Sequence, residues 1–174
     1  MGFYEVIRTR RSIRSYEPDE IQDEVLRRIL DAARIAPSGS NRQPWKFIIV
    51  RDADAKARIA TACGQQAFIA DAPVVIVACG KNIEYNRGGY MGDFSMLVDV
   101  SIAMTQLILA AREEGLGTCW IGMFENEPLK QMLHVPRAWN VVAVTPVGYP
   151  TGQAFMETSE RRSLEEIISY ERFE

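Results

Sequence analysis

The sequence is poor in residues that bind metals or form disulfides. Among its 174 residues there is one histidine, His134, and three cysteines, Cys63, Cys79 and Cys119, with no CxxC spacing. Zinc sites need clustered Cys and His ligands, so we expect no metal site. An odd set of scattered cysteines indicates reduced thiols in a cytoplasmic protein. His134 falls in an amphipathic helical pattern, which favours a surface or structural role over a catalytic one.

The sequence also lacks an overall positive charge and a long uninterrupted apolar run. The net charge is -3 and the pI is about 5.4, so we expect no nucleic-acid partner. The beginning, "MGFYEVIRTRR", has no apolar signal core, and we expect neither secretion nor membrane anchoring. The longest apolar stretch, from Phe94 to Ala111, is interrupted by polar residues such as Asp99 and Gln106, which favours a buried helix over a membrane span.

A length of 174 residues and 47% hydrophobic composition predict a single domain spanning residues 1–174. Apolar spacing predicts helices over 18–36, 53–63 and 94–114, one opening at Pro128 in "NEPLKQML", and one at "SLEEIISY" near the end of the sequence. Short β-rich runs predict strands at 45–50, 73–79, 118–124 and 140–150. The pattern indicates an α+β or α/β layer fold with at least four core strands.

The predicted helix from Phe94 to Glu114 is apolar on nearly every face. Such a helix either contacts core on several sides or completes its burial against another chain. This pattern favours an oligomer.

Two polar motifs stand out beside these elements. "RRSIRSY", residues 10–16, places Arg10, Arg11 and Arg14 within five positions of an acidic chain, although a run of charges is most often a solvated turn. "PSGSNRQPW", residues 37–45, is rich in hydroxyls and amides, and it is either an ordinary connector or a loop that donates hydrogen bonds to a ligand.

These motifs occur in a recognisable order along nearly the whole chain. "RRSIRSY", "PSGSNRQPW", "GLGTCWIG", "VGYP" and "RRSLEEII" follow one another, and the set resembles the FMN-dependent nitroreductase family. The resemblance implies an α+β fold with a mixed central sheet wrapped by helices. It further implies an obligate homodimer with two FMN sites at the interface, and hydride transfer from NADH or NADPH.

The resemblance explains the basic motif as a phosphate site. Arg10 and Ser12 match the family's phosphate and ribityl contacts, and the planar guanidinium suits two parallel hydrogen bonds to a phosphate edge. Arg161, or as the weaker candidate Arg162, matches a C-terminal basic residue that closes on the same phosphate. Arg11 is expected to be solvated or a minor phosphate contact.

Other residues match contacts to the flavin ring system. Arg14 matches a cation near the pyrimidine end, where reduction places negative charge. Gln65 matches, less securely, an amide that faces the flavin. The loop that the family supplies from the partner subunit corresponds here to Pro37, Ser38, Gly39 and Asn41.

The segment from Cys119 to Gly122 is implied to lie beside the flavin. Cys119 and Trp120 are included as cofactor contacts, and the backbone N–H groups of Ile121 and Gly122 are expected to point at flavin N5 and O4. We expect no catalytic acid or base, because the cofactor carries the reactive atom. The Gly-rich segment 81–95 is expected to form a mobile lid, and an aromatic acceptor would stack on Tyr85, Tyr90 and Phe124.

The resemblance therefore predicts ping-pong hydride transfer from NAD(P)H through FMN to a nitroaromatic, quinone or similar flat acceptor. Two alternatives stay open. One is a specialised flavin enzyme of the same family, acting in dehalogenation or flavin chemistry, since fold does not settle substrate. The other is a flavin-binding redox sensor without turnover.

Overall fold

A computed structural model describes residues 1–83, 92, 94–158 and 160–173. Most of the predicted lid, including Tyr85 and Tyr90, lies outside the described residues. In chain order the elements are α1 (Phe3–Thr9), α2 (Asp23–Arg34), a 3₁₀ turn (Gly39–Asn41), β1 (Trp45–Val50), α3 (Ala53–Ala62), α4 (Phe68–Asp71), β2 (Val74–Gly80), α5 (Ser95–Glu113), β3 (Gly117–Thr118), α6 (Asn126–Met132) and β4 (Asn140–Gly148).

The strands form one four-stranded sheet in the order β1-β2-β4-β3. All three strand pairs in it are antiparallel, and β2 pairs with both β1 and β4 along its length. The only parallel pairing among the described residues is a single bridge between Ser12 and Thr118. The fold is therefore α+β, as predicted.

Helices cover both faces of the sheet, which makes β2 apolar at every position. Its residues alternate between two cores: Val74 and Ile76 pack with α2 and α5, whereas Val75 and Val77 pack with α3, α4 and α6. All seven residues of β2 are buried. A strand buried on both faces has a continuous hydrophobic sequence, which is why the position of β2 can be predicted from the sequence.

Helix α5 is the central helix of one layer. Met104 and Leu107 are fully buried against the sheet and α2, while Leu97 on another face is 41% exposed. Among the described residues α5 alone is long and apolar enough to cross a membrane, but half of its most apolar window is buried inside the chain. It is thus a core helix that retains one partly exposed apolar face.

Three element predictions are wrong in extent. The helix predicted over 18–36 begins only at Asp23, where two acidic residues occupy its first turn. The strand predicted over 118–124 is reduced to β3 and one bridge at Ile121. The helix predicted at "SLEEIISY" is absent from the described residues, which form only turns there. So short a helix is marginal without packing partners, and residues 160–173 are all exposed.

Candidate flavin site

Residues 10–16, called here the arginine strip, run in extended conformation beside β3. Helix α1 ends as the Arg10 N–H donates to the Val6 carbonyl at 3.0 Å. The Ile13 N–H then donates to the Thr118 carbonyl at 2.9 Å, and the buried Tyr16 hydroxyl donates to the Ile13 carbonyl at 2.6 Å. The bond between Ile13 and Thr118 fixes the strip to the edge of the sheet.

The strip carries cations that no described carboxylate neutralises. Arg10, Arg11 and Arg14 form no ion pair with any residue that the structure describes. Arg14 instead lies 6.0 Å from the centre of the Phe68 ring. By contrast, Arg28 makes two hydrogen bonds of 2.7 Å to Glu114. Three unneutralised guanidinium groups in an acidic protein form a site suited to an anion.

Two glycines let the strip approach the sheet closely. A Cβ atom on Gly117 would lie 2.7 Å from Cγ1 of Ile13. One on Gly148 would lie 2.6 Å from Cδ of Pro73 and 2.9 Å from the Tyr16 ring. Glycine is therefore required at both positions by space, and each glycine sets how near the arginines lie to β3 and β4.

Cys119 follows β3 and faces the strip. Burial raises the pKa of its thiol, while Arg14, a hydrogen bond with Ser12, and Arg10 act in the opposite direction. The side chain is only 2% exposed, so the thiol is protonated near neutral pH and inaccessible. This environment brings Arg10, Ser12 and Arg14 together around one atom and fits a structural thiol rather than a nucleophile.

The backbone after Cys119 corrects one prediction. The Ile121 N–H donates to the Val144 carbonyl at 2.8 Å, and the Val144 N–H donates back at 3.1 Å. The expectation that the Ile121 N–H faces the flavin is therefore wrong, because its proton is already used. Gly122 and Met123 are exposed, and their N–H groups make no hydrogen bond to any described residue. The sequence does not indicate that the Met123 N–H is an available donor. Only the β-bridge at Ile121 shows that the unpaired N–H groups start at Gly122.

Gln65 lies beside this amide pair. It has a left-handed backbone with φ of 61°, and with Met123 and Phe124 it lines a cavity of about 420 Å³. The Glu125 N–H donates to the Ala62 carbonyl at 3.0 Å and ties the two segments together. The structure thus brings Gln65 together with Met123 and Phe124, whereas Trp120 is 38% exposed.

Residues 37–44, called here the polar loop, have an unusual backbone. Ser40, Asn41 and Gln43 all have positive φ, at 49°, 55° and 51°. Non-glycine residues seldom adopt this conformation, and such strained positions cluster at ligand sites. The loop is anchored where the Gly39 N–H donates to Oδ1 of the buried Asp99 at 3.1 Å. Pro37 is exposed, and Ser38 is half-buried with its Oγ accepting from the Gln43 N–H at 2.9 Å.

The arginine strip and the polar loop lie at opposite corners of the sheet. Ser12 pairs with Thr118, which pairs with Val147 near the end of β4. Trp45, directly after the loop, pairs with Gly80, which pairs with Asn140 at the start of β4. Strand rise and spacing place the two corners about 30 Å apart. One chain therefore does not bring its own strip and loop together.

The model of the nitroreductase family matches residues 7–68 and 60–149 of this chain. The chain belongs to the nitroreductase family. The family that the motifs indicated is thus confirmed.

Relatives support the same assignment. A solved nitroreductase family protein from Clostridium novyi NT is 37% identical, covers 90% of this chain and 89% of its own, and superposes with a TM-score of 0.82. A protein of Archaeoglobus fulgidus, whose assigned activity is NADH dehydrogenase/NAD(P)H nitroreductase, is 36% identical over 170 residues, 93% of this chain and 94% of the relative. The FMN reductase [NAD(P)H] of Bacillus subtilis is 31% identical over 162 residues, 83% of this chain and 64% of that protein. The predicted class, an oxidoreductase using NAD(P)H with FMN, agrees with these names.

The C-terminal arginines of this nitroreductase family member form no ion pair with any residue that the structure describes. Arg161 and Arg162 are exposed, and a guanidinium nitrogen of Arg161 donates to the neighbouring Glu160 carbonyl at 2.7 Å. The surrounding segment also exposes apolar side chains, among them Leu164, Ile167 and Phe173. The predicted phosphate contact from this segment therefore stays a prediction. Among the described residues no group of three or more potential metal ligands is found.

Proposed function

We propose that this chain is an FMN-dependent oxidoreductase of the cytoplasm that takes hydride from NADH or NADPH by a ping-pong mechanism. The acceptor is a nitroaromatic, quinone or similar flat electrophile. The observation that carries the proposal is the arginine strip: three guanidinium groups without described ion-pair partners, bonded to β3 beside unpaired backbone amides.

The residues present fit FMN in charge and shape. The phosphate is a dianion that Arg10 can hold through two parallel hydrogen bonds, with Ser12 and Arg11 beside it. Gly117 keeps this corner narrow because any side chain there would displace Ile13. The amides of Gly122 and Met123 supply donors for the polar edge of a flavin, and Arg14 supplies a positive charge beside Phe68 and Cys119.

We infer that each active site is built from two copies of the chain. The polar loop matches the family's flavin contacts but lies at the far corner from the strip of its own chain. Joining the strip of one copy to the loop of a second copy resolves this separation. The partly exposed face of α5 that carries Leu97 is the surface we assign to that interface.

In this site the protein would supply position and electrostatics. FMN, when bound, would supply the hydride chemistry between the nicotinamide and the acceptor. Arg14 would stabilise the negative charge of the reduced flavin. The backbone amides would orient the flavin without changing their protonation state. Phe124 and Gln65 border the space in which a flat molecule would lie.

Cofactor analysis and anaerobic reduction test the activity. We expect purified protein to be yellow, to release FMN rather than FAD on acid treatment, and to lose its 450 nm absorbance when NADH or NADPH is added. A protein that binds FMN but stays oxidised under excess nicotinamide is a redox sensor, and this result would overturn the enzymatic assignment. Turnover with nitroaromatics, quinones, free flavins and halogenated phenols then separates the general reductase from the specialised enzymes.

Mixed dimers test the composite site. One differently tagged copy carries Arg10→Ala and the other carries Ser38→Ala with Asn41→Ala. If strip and loop come from different copies, both defects fall in one site and the second site is intact. The mixed dimer should then bind one FMN with wild-type affinity. If each site takes both parts from one chain, neither site retains that affinity, and the composite arrangement is wrong.

A further inference from the structure

A second cavity adjoins the polar loop at Arg42, Gln43 and Pro44. Its volume is about 820 Å³, and it lies where the loop, the end of β2 and the start of β4 meet. Its lining includes two cationic residues, an aromatic residue and three amides: Lys81, Arg42, Trp139, Gln43, Asn82 and Asn140. None of the described lining residues is acidic, although the chain as a whole is.

Lys81 and Trp139 form the centre of this cavity. The Lys81 ammonium lies 5.4 Å from the centre of the Trp139 ring. Lys81 is exposed and Trp139 is half-buried against the core of the α3 and α6 layer. An exposed cation resting on an aromatic ring is a weak contact, weaker than a charge-assisted hydrogen bond to a phosphate. A ligand that offers both a flat base and a phosphate can therefore replace it favourably.

Backbone bonds join the cavity to the candidate active site. The Lys81 N–H donates to the Pro44 carbonyl at 3.2 Å, so the backbone that carries this cation is held against the polar loop. The buried Lys130 ammonium donates to Oδ1 of Asn140 at 3.4 Å, but it is paired with Glu127 at 3.5 Å, so Lys81 is the cation that faces the cavity. A molecule with one end in the active site can thus reach this cavity past a single loop.

We propose that this cavity binds the adenosine-phosphate half of the nicotinamide dinucleotide. The inference rests on the proposed function, since it assigns a second half to that same co-substrate. The adenine stacks on Trp139, and the Lys81 ammonium turns from the ring to the phosphate. The flat, anionic character of this half matches a cationic, aromatic and amide-lined cavity better than it matches the apolar surroundings of α5.

Comparing two hydride donors distinguishes binding in this cavity from binding at the flavin site. Reduced nicotinamide mononucleotide carries the same hydride as NADH but lacks the adenosine-phosphate half. We expect Lys81→Gln to lower kcat/KM for the dinucleotide about 10-fold more than for the mononucleotide, the low end for a hydrogen bond to a charged group. Lys46→Gln is the matched control, because Lys46 is an exposed lysine on β1 outside the cavity. Equal effects on both donors, or no effect on either, would overturn the inference.

A direct titration gives a readout that does not depend on turnover. Flavin-loaded protein is titrated with AMP by calorimetry, and we expect Lys81→Gln to weaken AMP binding about 10-fold while Lys46→Gln leaves it unchanged. If neither nicotinamide donor reduces the flavin, it is the proposed function that fails. The AMP titration still decides the cavity, because absent or Lys81-independent binding refutes the assignment.

Discussion

The arginine strip and the polar loop present functional groups by opposite means. The strip is hydrogen-bonded to β3, and in the site we propose it acts through side chains that carry unneutralised charge. The loop has three left-handed residues beside Gly39, whose N–H donates to a buried carboxylate, and in the site we propose it acts through the shape of its backbone. Charge gives affinity for an anion from a distance, whereas a shaped backbone selects what fits at close range. A site that needs both can take them from two different corners of the fold.

We expect the largest effect on FMN affinity from filling the space between Gly117 and Ile13 of the strip. Gly117→Ala introduces a Cβ that would lie 2.7 Å from Ile13, so the strip must move away from β3. We expect a loss of FMN affinity of at least about 100-fold, since more than one charged hydrogen bond is disturbed. FMN titration by fluorescence quenching measures it. Gly2→Ala is the control, because nothing lies within 4 Å of a Cβ there. Wild-type affinity in Gly117→Ala would show that the strip does not depend on close approach.

The next effect tests whether the two corners meet across copies. Leu97→Glu places a charge on the partly exposed apolar face of α5, and we expect the dimer and FMN binding to be lost together. Sedimentation and flavin absorbance follow the two properties. Leu107 is unsuitable for this test because it is fully buried and its replacement would unfold the chain. Ala57→Glu on the exposed side of α3 is the control. A folded Leu97→Glu monomer that retains FMN would show that the strip and the loop of two copies do not form one site.

A smaller effect distinguishes charge from shape on the strip. Arg10→Ala should weaken FMN binding by about 10- to 150-fold, the range for a hydrogen bond to a charged group. Riboflavin lacks the phosphate, so its affinity should change little. Arg58→Ala, an exposed arginine on α3, should change neither. An equal loss for FMN and riboflavin would assign Arg10 to the ring or ribityl chain instead.

The smallest effect concerns the loop. Asn41→Ala removes a neutral hydrogen-bonding side chain, and we expect about a 2- to 12-fold loss. The loss should be the same for FMN and riboflavin, in contrast to Arg10→Ala. Paired titrations of both flavins measure this ratio. Gln22→Ala, an exposed amide residue before α2, is the comparison variant. A loss of affinity for FMN but not for riboflavin would indicate that the loop contacts the phosphate instead of the ring system.

The sequence predicted the elements whose cause is local. β1 and α5 are found within one residue of their predicted bounds, since apolar run and length decide them. The arginine strip is visible as composition. The amide pair at Gly122 and Met123 is not, because it depends on a bridge between Ile121 and Val144 that lies 23 positions away in sequence. The left-handed residues of the loop are equally hidden, because Ser40 and Gln43 carry no local preference for positive φ.

The exposed C-terminal segment has a consequence for the life of the chain in a cell. A single copy presents Leu164, Ile167 and Phe173 on backbone that has no regular structure. Proteases cleave preferentially at exposed segments that lack regular secondary structure. In the dimer that we propose, a second copy offers a surface for this segment. The steady-state amount of enzyme would then follow how often two copies meet rather than how fast each is made, and unpaired chains would be cleared before they could aggregate.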